Sequence, residues 1–347
     1  MAISGVLDTQ HIFEVTAGLP EQVAAAVGRA RRVPGLPDGG AIEHVVVLGM
    51  GGSGIAGEVL EAAAGPLLPV PIAVVNSYEC PSYVGEGSLV FAISCSGDTE
   101  ETLQAASDAA LQGACVVAIT GGGELARLAA GWGAPVIDVP ADLPQPRTAI
   151  GAMSIPTLVV LEDMGLLRGA GYWIDLAVDQ LKRRRDQITA GGDASEPAAI
   201  ARRIGRTFPL LHGGGSVGRT AAKRWKTQIN ENAKAPAFWS VQPELCHNEI
   251  CGWGQHGDVT RQLLTLVQLR HDAEHPQVSR RFELVEELVR EVMADVIEVR
   301  AEGDGDLAQL FDLILIGDYV SLWLAAQEGI DPGPVPVLTA LKDELAG

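Results

Sequence analysis

Val-Val-Val-Leu-Gly-Met-Gly-Gly-Ser-Gly-Ile-Ala-Gly-Glu-Val-Leu-Glu-Ala-Ala-Ala, residues 45–64, is the stretch that decides the fold. Its first four residues form a short apolar run, which is typical of a strand buried on both faces. A glycine-rich turn at 49–54 follows, and residues 55–64 are predicted to form a helix. A strand, a glycine-rich turn and a helix in this order favour the first unit of a parallel α/β sheet.

The same alternation continues towards the C-terminus. Further strands are predicted at residues 71–75, 89–93, 115–119 and 136–139, and a helix at 99–112. Strands that alternate with helices imply a parallel, doubly wound sheet with helices on both faces.

A second unit of the same kind follows residues 190–197, Ala-Gly-Gly-Asp-Ala-Ser-Glu-Pro, which are predicted to link two domains. A strand at 208–212, a glycine turn at 213–215 and a helix at 217–233 repeat the order of the first unit. We therefore predict an α/β protein with two doubly wound subdomains, each a parallel sheet flanked by helices. Their predicted boundaries are residues 1–190 and 198–347.

The composition restricts the possible partners. The chain has 347 residues, 47% of them hydrophobic and 20% charged, as expected for a folded globular protein. Its net charge of −19 repels phosphate backbones and disfavours nucleic-acid binding. A small phosphorylated ligand can still bind where basic groups or helix N-termini reverse the local sign.

Three features indicate a cytoplasmic protein. The first 20 residues contain no lysine or arginine, so no secretory signal peptide is expected. Two apolar segments, 150–167 and 307–329, contain acidic residues and favour buried core or interface helices over membrane spans. The five cysteines are dispersed and predict free thiols in a reducing compartment. They are Cys80, Cys95, Cys115, Cys246 and Cys251.

Hydroxyl groups cluster in Phe91-Ala-Ile-Ser-Cys-Ser-Gly-Asp-Thr-Glu-Glu-Thr102, where the next predicted helix begins. Helix capping accounts for one hydroxyl but not for three. Three hydroxyls with the free N–H groups of a helix start predict a pocket for one phosphate, to which the turn at 49–54 also contributes. The predicted phosphate-binding residues are Gly51, Gly52, Ser53, Ser94, Ser96 and Thr99.

The turn at residues 49–54 also fits the Gly-x-Gly-x-x-Gly pattern of dinucleotide-binding folds. Those folds place an acidic residue at the end of the next strand, about 20 residues further on. Here that strand ends in Asn76-Ser77, and Glu79 lies beyond it. An NAD(P)-linked enzyme is therefore the weaker alternative.

The segments GMGGSG and SCSGDTEET resemble the sugar isomerase (SIS) domain, whose serine–threonine loop holds a sugar phosphate. Three later segments narrow this resemblance: RTAAKRWKTQINENAKAP at 219–236, ELCHNEICG at 244–252, and Leu341-Lys342. With them, the chain from about residue 40 resembles the bifunctional phosphoglucose/phosphomannose isomerases of archaea and some bacteria. The resemblance implies an aldose–ketose isomerase acting on a sugar 6-phosphate, with fructose, glucose and mannose 6-phosphates as the expected sugars.

The resemblance also assigns catalytic roles. Isomerisation through a cis-enediol needs a base that moves a proton between C1 and C2, an acid that opens the ring, and a cation near the enediolate. Glu231 matches the base of the family, His247 the ring-opening histidine and Lys342 a lysine that helps to open or hold the ring. Arg147 matches an arginine that stabilises the enediolate. In the family the histidine comes from the other subunit, so the resemblance implies a homodimer.

No metal or other cofactor is expected. His271 and His275 are four residues apart but have no third ligand near them in the sequence. A metal-assisted hydride shift is therefore disfavoured relative to the enediol route.

Three residues depart from the pattern of the family: Cys95 and Asp98 in the phosphate loop, and Gly333, where relatives often have threonine. Asp98 adds a negative charge beside the phosphate unless it points away or caps the helix. Gly333 leaves open whether both C2 epimers, glucose and mannose 6-phosphate, are accepted.

Two other functions remain open at this stage. A phosphosugar-binding regulator would use the same phosphate loop without chemistry, but residues 1–40 are too short and too acidic for the DNA-binding domain that such proteins usually carry. An SIS-type isomerase of another sugar phosphate is the second alternative.

Overall fold

The first sheet consists of five parallel strands. In the computed structural model, which describes residues 6–346, they are β1 His44–Leu48, β2 Ile72–Val75, β3 Ser88–Ser94, β4 Cys115–Thr120 and β5 Val136–Asp138. The strand order is β2-β1-β3-β4-β5. β3 is buried along its whole length because it is the central strand and helices cover both faces of the sheet.

Seven helices accompany the first sheet: α1 Ile12–Ala17, α2 Leu19–Ala30, α3 Gly52–Ala64, α4 Glu100–Leu111, α5 Gly123–Trp132, α6 Ile150–Asp163 and α7 Ala170–Gly191. The apolar sides of α3 and α6 pack on one face of the sheet. Those of α4 and α5 pack on the other face. Helices on both faces are the arrangement that the sequence predicts.

The second sheet has four parallel strands, β6 Phe208–Gly214, β7 Phe238–Gln242, β8 Leu264–Arg270 and β9 Asp295–Arg300. Their order, β7-β6-β8-β9, repeats that of the first four strands of the other sheet. The accompanying helices are α8 Glu196–Ile204, α9 Gly215–Gln228, α10 Gly257–Leu263, α11 Pro276–Val289, α12 Asp306–Gln327 and α13 Pro336–Ala346. The predicted fold class, with its repeated unit, is confirmed.

Helix α12 is the central helix of the protein. Among residues 6–346 it is the one helix long and apolar enough to cross a membrane, yet its apolar window is entirely buried in the protein. Its two buried carboxylates form bidentate ion pairs, Asp312 with Arg184 of α7 and Asp318 with Arg224 of α9. The prediction of a buried core helix is confirmed.

The predicted linker at residues 190–197 is largely helical. α7 runs to Gly191, a 3-10 turn covers Gly192–Ala194, and α8 begins at Glu196. Gly192 has a φ of 53° and turns the chain between the two helices. The strands of the first sheet precede this segment in the sequence, and those of the second sheet follow it. Helices of both halves nevertheless share one apolar core. The division into subdomains at 1–190 and 198–347 remains a prediction.

Candidate active site

A cleft of about 360 Å³ opens at the carboxyl ends of β1 and β3. In a sheet ordered β2-β1-β3-β4-β5, connections leave β1 and β3 in opposite directions, which creates a crevice between them. The loops after both strands, the segment before α6, the turn after α9 and helix α13 line the cleft. The predicted site residues in its lining are Gly51, Gly52, Ser53, Ser96, Thr99, Arg147, Glu231 and Lys342.

The loop after β1 brings the N-terminus of α3 to the cleft. Gly51 has a φ of 53°, a backbone conformation that favours glycine. Nδ2 of Asn76 donates to the carbonyl oxygen of Gly49 at 2.5 Å and closes the loop. The position where a dinucleotide-binding fold requires an acid therefore holds an amide with a structural contact, which counts against the NAD(P) alternative.

The loop after β3 presents some of its hydroxyls and uses another internally. Ser94 is buried, and its Oγ lies 2.9 Å from Oγ1 of Thr99 and accepts from the N–H of Gly97. It therefore shapes the loop and does not line the cleft. Ser96 is exposed, and together with Thr99 and the N-terminus of α4 it faces the cleft.

Asp98 points away from the cleft. Its Oδ1 accepts from the N–H of Glu124 at 2.9 Å, within the first turn of α5. A carboxylate at a helix N-terminus is stabilised by the unpaired N–H groups and the helix dipole. The capping contact belongs to α5, not to the helix that Asp98 precedes in sequence.

The guanidinium of Arg147 is buried, and the protein uses all five of its N–H groups. Nε donates to Oδ1 of Asn232 at 2.7 Å, and Nη2 donates to the carbonyls of Pro332 and Gly333. Nη1 donates to Oε1 of Gln145 at 3.1 Å and lies 3.4 Å from Oε2 of Glu231. Burial lowers the pKa of Arg147, and the charge of Glu231 opposes this.

Glu231 lies in a π-helical turn, Ile229–Ala233, that follows α9. The sequence predicts one continuous helix over 217–233, but the α-helix ends at Gln228 and the wider π-helical turn follows it. Such turns are rare and occur often at functional sites. The flanking asparagines hold the turn: Asn230 donates to the carbonyl of Ala235, and Asn232 joins Arg147 to Ser321.

Lys234 is a functional candidate that the sequence analysis did not single out, although it belongs to the Asn-Glu-Asn-Ala-Lys segment. Its Nζ donates to the carbonyls of Glu231 and Pro332 at 2.6 and 3.1 Å. Burial and the charge of Arg147 lower its pKa to about 8, although the residue as a whole is exposed. Lys234 and Arg147 thus both hold the segment that leads into α13, the helix with Lys342.

His247 does not line the cleft of its own chain. It is exposed at the end of a 3-10 turn, Glu244–His247. Two residues on, Oε1 of Glu249 lies 2.9 Å from Nε2 of the buried His212, and Oε2 accepts from Ser240. Burial opposes ionisation of Glu249, but these two hydrogen bonds outweigh it and lower its pKa. The loop with His247 is thus anchored to the second sheet by a carboxylate.

Over residues 6–346, no group of three or more His, Cys, Asp or Glu side chains is arranged to hold a metal ion. His271 is buried, and its Nε2 contacts the carbonyl of Gly214 at 2.8 Å. His275 is exposed, and its Nδ1 accepts from the N–H of Gln277 at the start of α11. Both histidines thus have structural contacts.

Family models match both halves of the chain. The model of the SIS domain matches residues 41–132, and one described as bacterial phospho-glucose isomerase C-terminal SIS domain matches residues 193–345. The C-terminal domain of a glucosamine-fructose-6-phosphate aminotransferase from Francisella tularensis has a similar fold. The TM-score is 0.67 at 16% identity, over 93% of this chain and 98% of that one.

Two relatives match over most of their length. The bifunctional phosphoglucose/phosphomannose isomerase of Caldicellulosiruptor bescii is 35% identical over 339 residues, which cover 96% of this chain and 99% of that enzyme. The enzyme of the same name from Aquifex aeolicus is 33% identical over 307 residues, or 87% of this chain and 90% of the relative.

Proposed function

Because this chain belongs to the bifunctional phosphoglucose/phosphomannose isomerase family, it is an aldose–ketose isomerase of sugar phosphates, and we propose that it works by metal-free proton transfer through a cis-enediol. Its proposed substrates are fructose 6-phosphate and one or both of glucose 6-phosphate and mannose 6-phosphate. The observation that supports this mechanism best is the meeting of Arg147 and Glu231 opposite the phosphate loops in one cleft.

The phosphate is proposed to bind Ser53, Ser96 and Thr99 at the N-termini of α3 and α4. These groups supply hydrogen bonds and partial positive charge in a protein whose net charge is −19. Gly51 and Gly52 leave room for close approach of the backbone. Ser94 contributes indirectly by holding Thr99.

Glu231 is proposed as the base that takes the proton from C2 of the aldose and returns it to C1. Because the protein uses all five N–H groups of Arg147, its proposed contribution is the positive charge beside the enediolate, not a free donor. Lys342 lies in the lining of the same cleft and is proposed to assist ring opening. No cofactor has a role in these steps.

His247 is proposed to act in the cleft of a second subunit, which makes the functional unit a homodimer. Its exposure, and its absence from the cleft of its own chain, support this proposal. The acidic surface argues against nucleic acid as a partner, and burial of α12 argues against a membrane. The proposed location is the cytoplasm.

The activity is tested with purified protein, fructose 6-phosphate and a chelator, with glucose 6-phosphate and mannose 6-phosphate scored separately. Both products are expected. Formation of one product alone would be consistent with the proposed mechanism and would show that only one of the two aldose 6-phosphates is a substrate. No product, with fructose 6-phosphate still raising the melting temperature, would favour a regulator or an isomerase of another sugar phosphate.

The shared site is tested by mixing two inactive variants, His247→Ala and Glu231→Gln, and allowing their subunits to exchange. If the histidine crosses the interface, each mixed dimer regains one intact site, and about a quarter of wild-type activity returns on random exchange. If His247 serves its own chain, mixing restores nothing.

A further inference from the structure

The N-terminal segment contacts the loop that precedes α13. Oγ1 of Thr9 donates to Oδ2 of Asp331 at 2.5 Å. A Cβ on Gly333 would lie only 2.8 Å from the side chain of Gln10. Gln10 therefore fills the space that any side chain at position 333 would occupy. This segment lies before residue 40, outside the motifs with a predicted role.

Gln10 is the outer end of a hydrogen-bond chain that reaches the cleft. Oε1 of Gln10 accepts from Nε2 of Gln145 at 2.8 Å, and Oε1 of Gln145 accepts from Nη1 of Arg147 at 3.1 Å. The same Nη1 contacts Oε2 of Glu231 at 3.4 Å.

The acceptor on Gln10 fixes the orientation of the Gln145 amide. If that amide were turned over, its NH2 group would face a guanidinium that has only donors, and its oxygen would lose Arg147. With the observed orientation, one N–H of Nη1 is held by Gln145, which leaves the other directed at Glu231. The two N–H groups of Nη2 are fixed independently by Pro332 and Gly333.

We propose that Gln10 is a positioning residue, which acts through Gln145 and Arg147 to hold the carboxylate of Glu231 in its working orientation. This inference rests on the proposed function, because it assumes that Glu231 is the base. Gln10 does not line the cleft and touches no substrate in this scheme. Its loss should therefore lower kcat and leave KM nearly unchanged.

Two variants separate the hydrogen bond from the packing. Gln10→Met keeps the size of the side chain and removes the acceptor, so kcat should fall about three- to tenfold, the effect of one lost hydrogen bond. Gln10→Glu keeps an acceptor and should stay within about twofold of wild type. If both variants keep the wild-type kcat, or if both lose it equally, the proposal is wrong.

Thr9→Val is the matched control. It removes the neighbouring contact of the same segment with Asp331 but leaves the amide chain intact. Its kcat should stay at the wild-type value even where its melting temperature falls. An equal loss of kcat in Thr9→Val and Gln10→Met would mean that Thr9 and Gln10 act only by holding the loop before α13 in place, and the proposal would be wrong.

The space beside Gly333 gives an independent check. Gly333→Ala should displace the Gln10 side chain and lower kcat as Gln10→Met does. In the double variant with Gln10→Ala, the substitution Gly333→Ala should lower kcat no further, because the hydrogen-bond chain from Gln10 to Arg147 is already broken. Additive losses would contradict the proposal. Failure of the proposed function is recognised separately, because then the wild-type protein would not turn over fructose 6-phosphate or Glu231→Gln would remain active.

Discussion

Nη1 of Arg147 lies 3.4 Å from Oε2 of Glu231, and the two residues come from different halves of the chain. Arg147 follows the last strand of the first sheet, whereas Glu231 follows α9, the helix after the first strand of the second sheet. Arg224 and Asp318, paired and buried, brace this contact because Arg224 also donates to the carbonyl oxygen of Arg147. The cleft therefore exists only when the two halves are packed together.

Glu231→Gln should abolish turnover and leave phosphosugar binding nearly intact. The amide has almost the shape of the carboxylate but cannot accept the proton from C2. Turnover is measured with fructose 6-phosphate, and binding by calorimetry with the same sugar. Glu101→Gln is the control, because Glu101 also lines the cleft but has no role in the proposed chemistry. Loss of binding in Glu231→Gln would mean that Glu231 is structural.

Ser96→Ala should raise KM about three- to tenfold with little change in kcat. A hydroxyl that holds the phosphate equally in substrate and transition state contributes uniform binding, so its removal affects KM. Inhibition by inorganic phosphate should weaken by a similar factor. A fall in kcat at constant KM would place Ser96 near the reacting carbons, against the proposed orientation of the sugar.

Asp98→Asn should leave KM unchanged, and Asp98→Ala should lower stability by about 1 kcal/mol, the usual cost of a lost helix cap. Asparagine keeps an oxygen that accepts from Glu124, whereas alanine does not. Kinetics of both variants and chemical denaturation measure the two effects. If Asp98→Asn lowers KM clearly, the carboxylate repels the phosphate in spite of its orientation.

Much of the fold was predictable because the inner strands of a parallel sheet are apolar along their whole length. The strand predicted at 89–93 is observed as Ser88–Ser94, and the strand at 115–119 as Cys115–Thr120. The edge strand Phe238–Gln242 was missed, since it mixes polar and apolar residues and exposes Phe238. The helix with Lys342 was also missed.

The candidate site was predictable only where its residues lie within local motifs. The phosphate loop is a continuous segment, and the relatives confirm the family that its pattern indicates. Gln145 and Asn232 were not predicted as partners of Arg147, nor Gln10 as the partner of Gln145, because these contacts form through packing over large sequence separations or through one local turn. The inward direction of Ser94 was also not predicted, because it depends on the place of this residue at the end of a buried strand.

Lys234 should make the stability of the protein depend on pH between about 8 and 10. Its pKa is about 8 in the folded protein, against an ordinary value of 10.5. Between these values the unfolded chain holds a proton that the folded protein has released, so the free energy of unfolding rises with pH. Below about pH 8 both states are protonated, and the folded protein bears the full cost of holding a charged amine that is partly desolvated and close to Arg147.

Lys234→Met and Lys234→Arg both remove this titration, the first without a charge and the second with a permanent one. The free energy of unfolding of the wild type, measured by denaturant titration, should therefore rise relative to both variants as the pH increases from 8 to 10. A difference that appears only with methionine would report lost packing or charge and not a titration. A difference independent of pH for both variants would show that burial and the charge of Arg147 do not lower the pKa of Lys234.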